Sequence, residues 1–499
     1  VMIIQHSGIH AQSGSSSKPK LIVGIVVDQM RFDHLYRYQD MYTDTGFKRL
    51  MSEGFNFKNH HYNYIPTVTA AGHASIYSGA TPSLHGIVGN SWYDRYAGEE
   101  VGNVEDPKET IVGSKQENNQ GASPHNLLTT TIGDQLRLGS NYQSKVISAS
   151  FKDRGAILPG GHSANGAYWH DWRTSPGYFV SSTYYMEELP SWVKGFNRSG
   201  KADEYLDQAW NTLYAIEEYT QSTSDNNSYE RTLRGKETPT FPYDFKKLRK
   251  IYRDLGAEYQ LLWVTPYGNT LLTDFAMEAV TQEDLGSDDD PDLLAVSYSV
   301  PDAAGHAFGP HSVEVQDIYL RLDQDISRLL DFLDRTVGEG AYTVFLTADH
   351  GVAPVASYLY DQRLPTGIIS PKYSDSLQSH LSQRFGEGNY VAHFDYESIY
   401  LNRELVKKKS LSLPEVQQAA AQFLVNLEGI STAATGYHLQ HTEYSKGLKH
   451  LLQNGYYQRR SGDVLITYDP GLVASSDPEL SISEVKGTGH GTGYNYDTH

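Results

Sequence analysis

The sequence predicts an α/β fold built on one open sheet. Short apolar runs rich in β-branched residues look like buried strands, and between them lie segments whose apolar residues recur every three or four positions. Several of the runs are followed closely by Asp or His. In open α/β sheets that is where ligands bind, beyond the carboxyl ends of the strands.

The predicted strands are Leu21–Val27, Lys145–Ala149, Leu293–Ser297, Tyr342–Thr347 and Asp463–Thr467. Asp28 closes the first, Asp302 lies a few positions after the third, and Asp349-His350 follows the fourth. The clearest helix spans Ser312–Thr336, with Val315, Ile318, Leu322, Ile326, Leu329, Leu330 and Leu333 on one stripe. Ser312 suits its N-cap and Glu314 its first turn. Further helices are predicted at Thr270–Val280 and Pro414–Asn426. Residues 160–260, rich in Tyr, Trp, Gly and Ser with weak periodicity, read as an irregular insertion over the site, and 360–460 as a second insertion of mixed helix and strand.

Composition narrows the function. Lys and Arg total 41 against 60 Asp and Glu, a formal charge of −19, so the surface repels nucleic acid and anionic membranes. It also repels phosphate esters, so any chemistry on them requires local cations. There is no cysteine, which excludes disulfides and thiolate metal sites and leaves His and carboxylate as metal ligands. No apolar run reaches the roughly 18 residues of a membrane span. The apolar start Val1–Ile4, Ile9-His10-Ala11 and the Ser-rich stretch before Lys18 read as the remnant of a signal peptide cleaved near Ala11. Residues 1–19 are therefore expected to be an N-terminal extension, and the protein to be periplasmic or secreted.

Taken singly, each chemically interesting residue also has a structural reading. Asp28, in IVGIVVDQMR, and Thr69, in YIPTVTAAGHASIYSG, suit helix caps, and His73 reads as structural. Asp302 and His306 form D-x-x-x-H in PDAAGHAFGP, a spacing that brings both to one helical face. Asp349-His350 precedes Gly351, which permits the turn both need to reach one ion. His490 is flanked by glycines in KGTGHGTG. Together they suit two divalent cations, best zinc: Asp302, His306 and His490 on one, Asp28, Asp349, His350 and the Thr69 oxygen on the other. A threonine hydroxyl on a divalent cation loses its proton far more readily, and a second cation stabilises the departing oxygen. Two divalent cations are nearly balanced by three aspartates and an ionised threonine. A phosphate monoester dianion then needs further positive charge, which Lys152 and Arg154 in SFKDRGAILPGG can supply, with Asn90 in HGIVGNSWYD as a neutral donor.

The strings VDQMR, YIPTVTAAGH, HGIVGN, SFKDR, D-x-x-x-H-x-FGP, ADHG and the Gly-flanked His490 occur in this order from about Leu21 to the C-terminus. Together they resemble the alkaline phosphatase superfamily, and within it the bacterial phosphate-irrepressible alkaline phosphatases with a threonine nucleophile. The resemblance implies a central, mostly parallel sheet sandwiched by helices, with cap insertions, over residues 20–499. It implies two zinc ions and a phosphothreonine intermediate at Thr69, resolved by water. Asp28, Asp349 and His350 match the ligands of the zinc that activates Thr69, and Asp302, His306 and His490 those of the other. Asn90, Lys152 and Arg154 match the phosphate contacts. Lys152 with Arg154 is the pair that the related nucleotide pyrophosphatases/phosphodiesterases lack.

Two departures stand out. The chain ends at His499, soon after YDTH, where family members continue with an apolar strand, so the end is expected to be clipped or its strand replaced. His499 also competes with His490 as the last ligand, and His490 is preferred because relatives place it in an H-G string. The expected substrates are small phosphate monoesters, with inorganic phosphate as product. The oligomeric state is not fixed by the sequence, and a monomer is compatible with it. The alternatives are diester hydrolysis at the same site and a secreted metal- or phosphate-binding module without catalysis. A sulfatase is disfavoured by the lack of cysteine.

Overall fold

Leu21–Val27 (β1) is buried along nearly its whole length, as a strand covered on both faces must be. Its side chains divide by alternation. Leu21, Val23, Ile25 and Val27 join the main core beneath two long helices, whereas Val26 packs with Tyr77 and Ala295 on the opposite face. The computed structural model describes residues 18–114, 121–173, 177–370, 372–395, 397–475, 477 and 479–493.

Six further strands complete the central sheet: Ile111–Val112 (β2), Val146–Ser150 (β3), Gly166–Asp171 (β4), Tyr178–Ser182 (β5), Asp292–Tyr298 (β6) and Tyr342–Thr347 (β7). Their order is β7-β1-β6-β3-β4-β5-β2. The pairs from β7 to β4 are parallel, and β5 runs antiparallel to both β4 and β2. The α/β class and mostly parallel sheet expected from the sequence are therefore present. β4 and β5 lie in the stretch read as an irregular insertion. Each is bounded by glycine and too short for its alternation to register.

Five helices position the site: Thr69–Ser78 (α1), Asp153–Gly160 (α2), Pro266–Gln282 (α3), Val300–Phe308 (α4) and Val313–Leu333 (α5). The apolar stripe of α5 is buried as its periodicity requires, and Ser312 caps it, its hydroxyl accepting from Val315 N at 3.2 Å. With α3 it covers the main core, while α1 and α2 share a smaller cluster through Ala70, Ala74, Ala156 and Ile157.

A second sheet stands apart. Val391–Asp395 (β8), Ser398–Leu401 (β9), Ile430–Thr435 (β10) and Val464–Tyr468 (β11) pair antiparallel in the order β8-β9-β11-β10. Leu413–Leu424 (α6) contributes to its separate apolar core. The predicted strand at 463–467 is thus real but belongs here, because an apolar run does not reveal which sheet it joins. The fully buried Asp463 locks this unit together, accepting from Leu401 N, Gln417 Nε2 and Arg403 at 2.8–3.0 Å.

Candidate active site

Four adjacent parallel strands, β7, β1, β6 and β3, deliver the chemically active residues at their carboxyl ends. Asp28 follows β1 directly, and its backbone N–H donates to Tyr298 O at 3.0 Å. Asp302 sits in the first turn of α4, after β6, and Asp349 comes two residues beyond β7. Lys152 follows β3 at the N-terminus of α2. Asp28, Asp302, Asp349, His350, Thr69 and Lys152 are all buried.

Each candidate histidine has its ring fixed in the same way. The Nδ1–H of His306 donates to Thr488 O at 2.7 Å, that of His490 to Thr67 O at 2.9 Å, and that of His350 to Gly351 O at 2.8 Å. A carbonyl only accepts, so in the neutral ring, the form that binds a metal, each Nε2 carries the lone pair. Those nitrogens face carboxylates: His306 Nε2 lies 3.1 Å and His490 Nε2 3.5 Å from Asp302 Oδ1, and His350 Nε2 lies 3.4 Å from Asp28 Oδ1. Metal-binding histidines are held in this manner.

Asp302, His306 and His490 form one group of potential ligands with donor atoms within 4.8 Å of one another, and Asp28, Asp302 and His350 form a second. Asp302 belongs to both. Asp349 adjoins the second group, with Oδ2 3.5 Å from His350 Nε2. Neither oxygen of Asp28 accepts a hydrogen bond of good geometry, and nor does Asp349 Oδ2, although all three are buried. Their near neighbours are charged groups and rings, Lys152 Nζ 2.7 Å from Asp28 Oδ2 and His73 Nδ1 3.3 Å from Asp349 Oδ2, and buried carboxylate oxygens without a well-formed hydrogen bond also suit a divalent cation. His499 lies outside the described residues.

Thr69 opens α1, so its hydroxyl stands at the positive end of a ten-residue helix. Lys152 Nζ donates to Thr69 Oγ1 at 3.1 Å and to Asp302 Oδ2 at 2.6 Å, and lies 2.7 Å from Asp28 Oδ2. Asn90 Oδ1 accepts from Ala70 N at 3.0 Å, which leaves the amide N–H groups as its donating end. Arg154 lies in the first turn of α2. Its nearest ion-pair partner is Asp153 at 3.7 Å, and no hydrogen bond joins it to Thr69 among the described residues.

Burial and charge pull against each other here. Burial by itself lowers Lys152, but Asp28 and Asp302 raise it above its ordinary value. Burial raises Asp302, and Lys152 and His306 outweigh it to hold the carboxyl well below the usual range. Burial, and then Asp349, raise Asp28. His490 is lowered to about 4 by burial and by the charge of His350, whose ring stacks on it at 3.5 Å.

One neighbour escaped the sequence reading, and a second, His73, has the structural role expected of it. Gln29, at φ 67°, bridges the two groups: its N–H donates to Asp349 Oδ1 at 3.1 Å and its Nε2 to Asp302 Oδ1 at 2.7 Å. The only signal was its place directly after Asp28. His73 is fully buried, donates from Nδ1 to Thr69 O at 2.8 Å and lies 3.3 Å from Asp349 Oδ2. It fastens the start of α1 beside that aspartate. Among the glycines around His490, Gly487 serves close approach, since a Cβ on it (φ 72°) would stand 2.1 Å from His306 O.

Residues 22–494 match the family model described as type I phosphodiesterase/nucleotide pyrophosphatase. The chain belongs to that family. This phosphodiesterase/nucleotide pyrophosphatase family lies within the alkaline phosphatase superfamily that the motifs resemble. Among curated relatives, alkaline phosphatase PhoV of Synechococcus elongatus is 42% identical, over 97% of this chain and 84% of its own length. A Myroides odoratus protein named calcium-transporting ATPase is also 42% identical, over 97% and 86% respectively. Alkaline phosphatase PafA of Elizabethkingia meningoseptica is 40% identical, over 97% and 86%. The crystal structure of wild-type PafA superposes with a TM-score of 0.89 at 39% identity, covering 97% of this chain and 90% of that one.

Proposed function

We propose that this member of the family hydrolyses phosphate monoesters, with Thr69 as nucleophile. The observation that carries the reading is the position of Thr69 Oγ1. It lies 3.1 Å from a buried ammonium and 3.5 Å from His350 Nε2, beside two ligand groups that share Asp302. The relatives named alkaline phosphatase support it. So does a PafA variant structure, superposing at a TM-score of 0.88, that is altered at one threonine, one asparagine, one lysine and one arginine. The intervals between those four positions equal the intervals between Thr69, Asn90, Lys152 and Arg154.

In the first step a bond forms between Thr69 Oγ1 and phosphorus while the bond to the alcohol oxygen breaks. In the second, water displaces the threonine oxygen and releases inorganic phosphate. Asp302, His306 and His490 would hold one zinc ion, and Asp28, Asp349, His350 and the Thr69 oxygen the other. When bound, the two ions acidify the threonine hydroxyl and neutralise the departing alkoxide. Lys152 keeps its ammonium on the attacking oxygen and faces the non-bridging oxygens of the ester. The donating end of Asn90 and the guanidinium of Arg154 complete the phosphate cradle, and the N-terminus of α1 adds its partial charge. Gln29 and His73 keep Asp302 and Asp349 oriented.

Diester hydrolysis is the rival reading, favoured by the family description. The buried Lys152 weighs against it, because a diester carries one negative charge fewer. A transporter's role, as in the Myroides name, finds no support in this site chemistry, and no described helix is long and apolar enough to cross a membrane. We assign the protein to the periplasm or the exterior on the signal-like residues before Lys18, a location with which the lack of cysteine is compatible.

The test compares initial rates on phenyl phosphate and methyl phenyl phosphate in zinc buffer. A strong monoester preference is expected, and a diester preference would move the enzyme to the other branch. Thr69→Ala should lose essentially all turnover while keeping its metal content. Turnover near the wild-type rate in that variant would eliminate the covalent route.

A further inference from the structure

In the phosphate cradle Asn90 would donate through its amide N–H groups, so their direction matters as much as their presence. Its Oδ1 accepts from Ala70 N at 3.0 Å. A side chain held at that one atom can still swing about it, and the second anchor is on the main chain. Asn90 precedes a two-stranded antiparallel hairpin, Ser91–Asp94 and Glu99–Gly102, in which Ser91 pairs with Gly102. Asn103 follows the returning strand, and two of its donors converge on one atom. Its backbone N–H reaches Asn90 O at 3.1 Å, and its Nδ2 reaches the same oxygen at 2.5 Å. A carbonyl oxygen has two lone pairs, and Asn103 takes both. Asn103 is buried, and the next residue, Val104, packs in the same apolar cluster as Ala70, Val88 and Trp92. The clamp on Asn90 and the start of the nucleophile helix are therefore fixed to one piece of core. Among the described residues the bond to Asn90 is the only hydrogen bond of the Asn103 side chain, and none reaches its buried Oδ1.

We propose that Asn103 is a positioning residue for phosphate recognition: its amide holds the main chain of Asn90 so that the N–H groups of Asn90 point at the non-bridging oxygens of the ester. The inference rests on the monoesterase reading above, in which Asn90 contacts phosphate, and adds a residue that acts through Asn90 alone. The effect is one of preorganisation. A donor fixed before the ester arrives stabilises the charge on those oxygens without rearranging at the moment of reaction. Asn90 is fixed at its Oδ1 by the start of α1 and at its carbonyl by Asn103, which leaves its Nδ2 one direction. The backbone N–H of Asn103 survives any side-chain substitution other than proline, so Asn90 O keeps one donor. Loss of the amide is therefore felt in the aim of Asn90 rather than in the fold.

The experiment is a double-mutant cycle on kcat/KM for phenyl phosphate in zinc buffer, with Asn103→Leu, Asn90→Ala and their combination, and with zinc content and Tm read for each protein. Leucine is close to asparagine in shape and has no donor. Asn103→Leu is expected to lower kcat/KM on the order of tenfold, short of the roughly hundredfold that a 1 Å misplacement can cost. In the Asn90→Ala background the same change should cost less than about twofold, because the group being aimed is gone. A purely structural role would give equal losses in both backgrounds. That result would overturn the inference, as would an unchanged rate in the single variant. Asn103→Ala, which removes the amide without adding bulk, carries the cycle if the leucine protein does not fold. Loss of folding or of zinc in both would also overturn the inference, since Asn103 would then hold the fold and not the aim of Asn90. An Asn90→Ala protein as fast as wild type would remove Asn90 from the cradle, and this inference with it, while leaving the monoesterase reading standing. Failure of the wild-type protein to hydrolyse phenyl phosphate would overturn the monoesterase reading itself.

Discussion

Replacing Lys152 by methionine preserves much of the buried stem and removes one positive charge. The ammonium lies 3.1 Å from Thr69 Oγ1. A phosphorus attacked by that oxygen brings a non-bridging oxygen to within roughly 4 Å of it, where one pair of unit charges is worth about 4 kcal/mol at an effective dielectric constant near 20. A monoester dianion exceeds a diester monoanion by one unit, spread over three oxygens of which only the nearest feels the full field. Halving the interaction for that spread leaves about 2 kcal/mol of discrimination, or roughly thirtyfold. Lys152→Met should therefore depress kcat/KM for phenyl phosphate about thirtyfold more than for methyl phenyl phosphate, measured side by side in zinc buffer. The shared leaving group cancels differences in bond-breaking. Equal losses on both esters would show that Lys152 does not meet the additional charge, and the electrostatic account of monoester preference would fail.

A strong chelator should abolish turnover and zinc should restore it, with metal content read by elemental analysis; full activity in the chelated, metal-free protein would sink the two-metal reading. Gly72→Ala should lower metal affinity tenfold or more and cost about 1–3 kcal/mol of stability. Its Cβ would stand 2.4 Å from Asp349 O and 2.7 Å from Asp349 Cβ, and unchanged zinc binding by calorimetry would contradict that contact. Glu314 and Glu230 are a buried pair: burial pushes Glu314 up to about 8, and burial with the charge of Glu314 pushes Glu230 up to about 10. A carboxyl raised in the folded state stabilises fully below its unfolded value, and that contribution is lost as pH rises through the folded value. Glu314→Gln should therefore gain Tm relative to wild type between pH 5 and pH 8.5, by a few degrees. A difference that stays constant with pH would refute it.

The sequence exposed what depends on local pattern. β1 and β6 were legible because buried parallel strands are unbroken apolar runs, β7 by a similar run although it is a part-exposed edge strand, and α5 because its stripe repeats over five turns and more. Asp28, Asp302 and Asp349 stood out by position, each just past such a run. Strand order was not legible, since neither the β1–β6 pairing nor the assignment of Val464–Tyr468 to the second sheet leaves a local mark. Gln29 was hidden, and the partner of His73 could not be named, for a related reason: Asp302 and Asp349 lie hundreds of residues away. That Asp302 belongs to both ligand groups was not legible either, because spacing does not reveal which side chains converge.

The hold of Thr488 and His490 on His306 and Thr67 makes ring orientation a long-range property of the backbone. The loop that carries His490 steers the ring of His306 through Thr488 O, and the segment before Thr69 steers the ring of His490 through Thr67 O. A displacement of either stretch would therefore turn a histidine that lies far from it in the sequence.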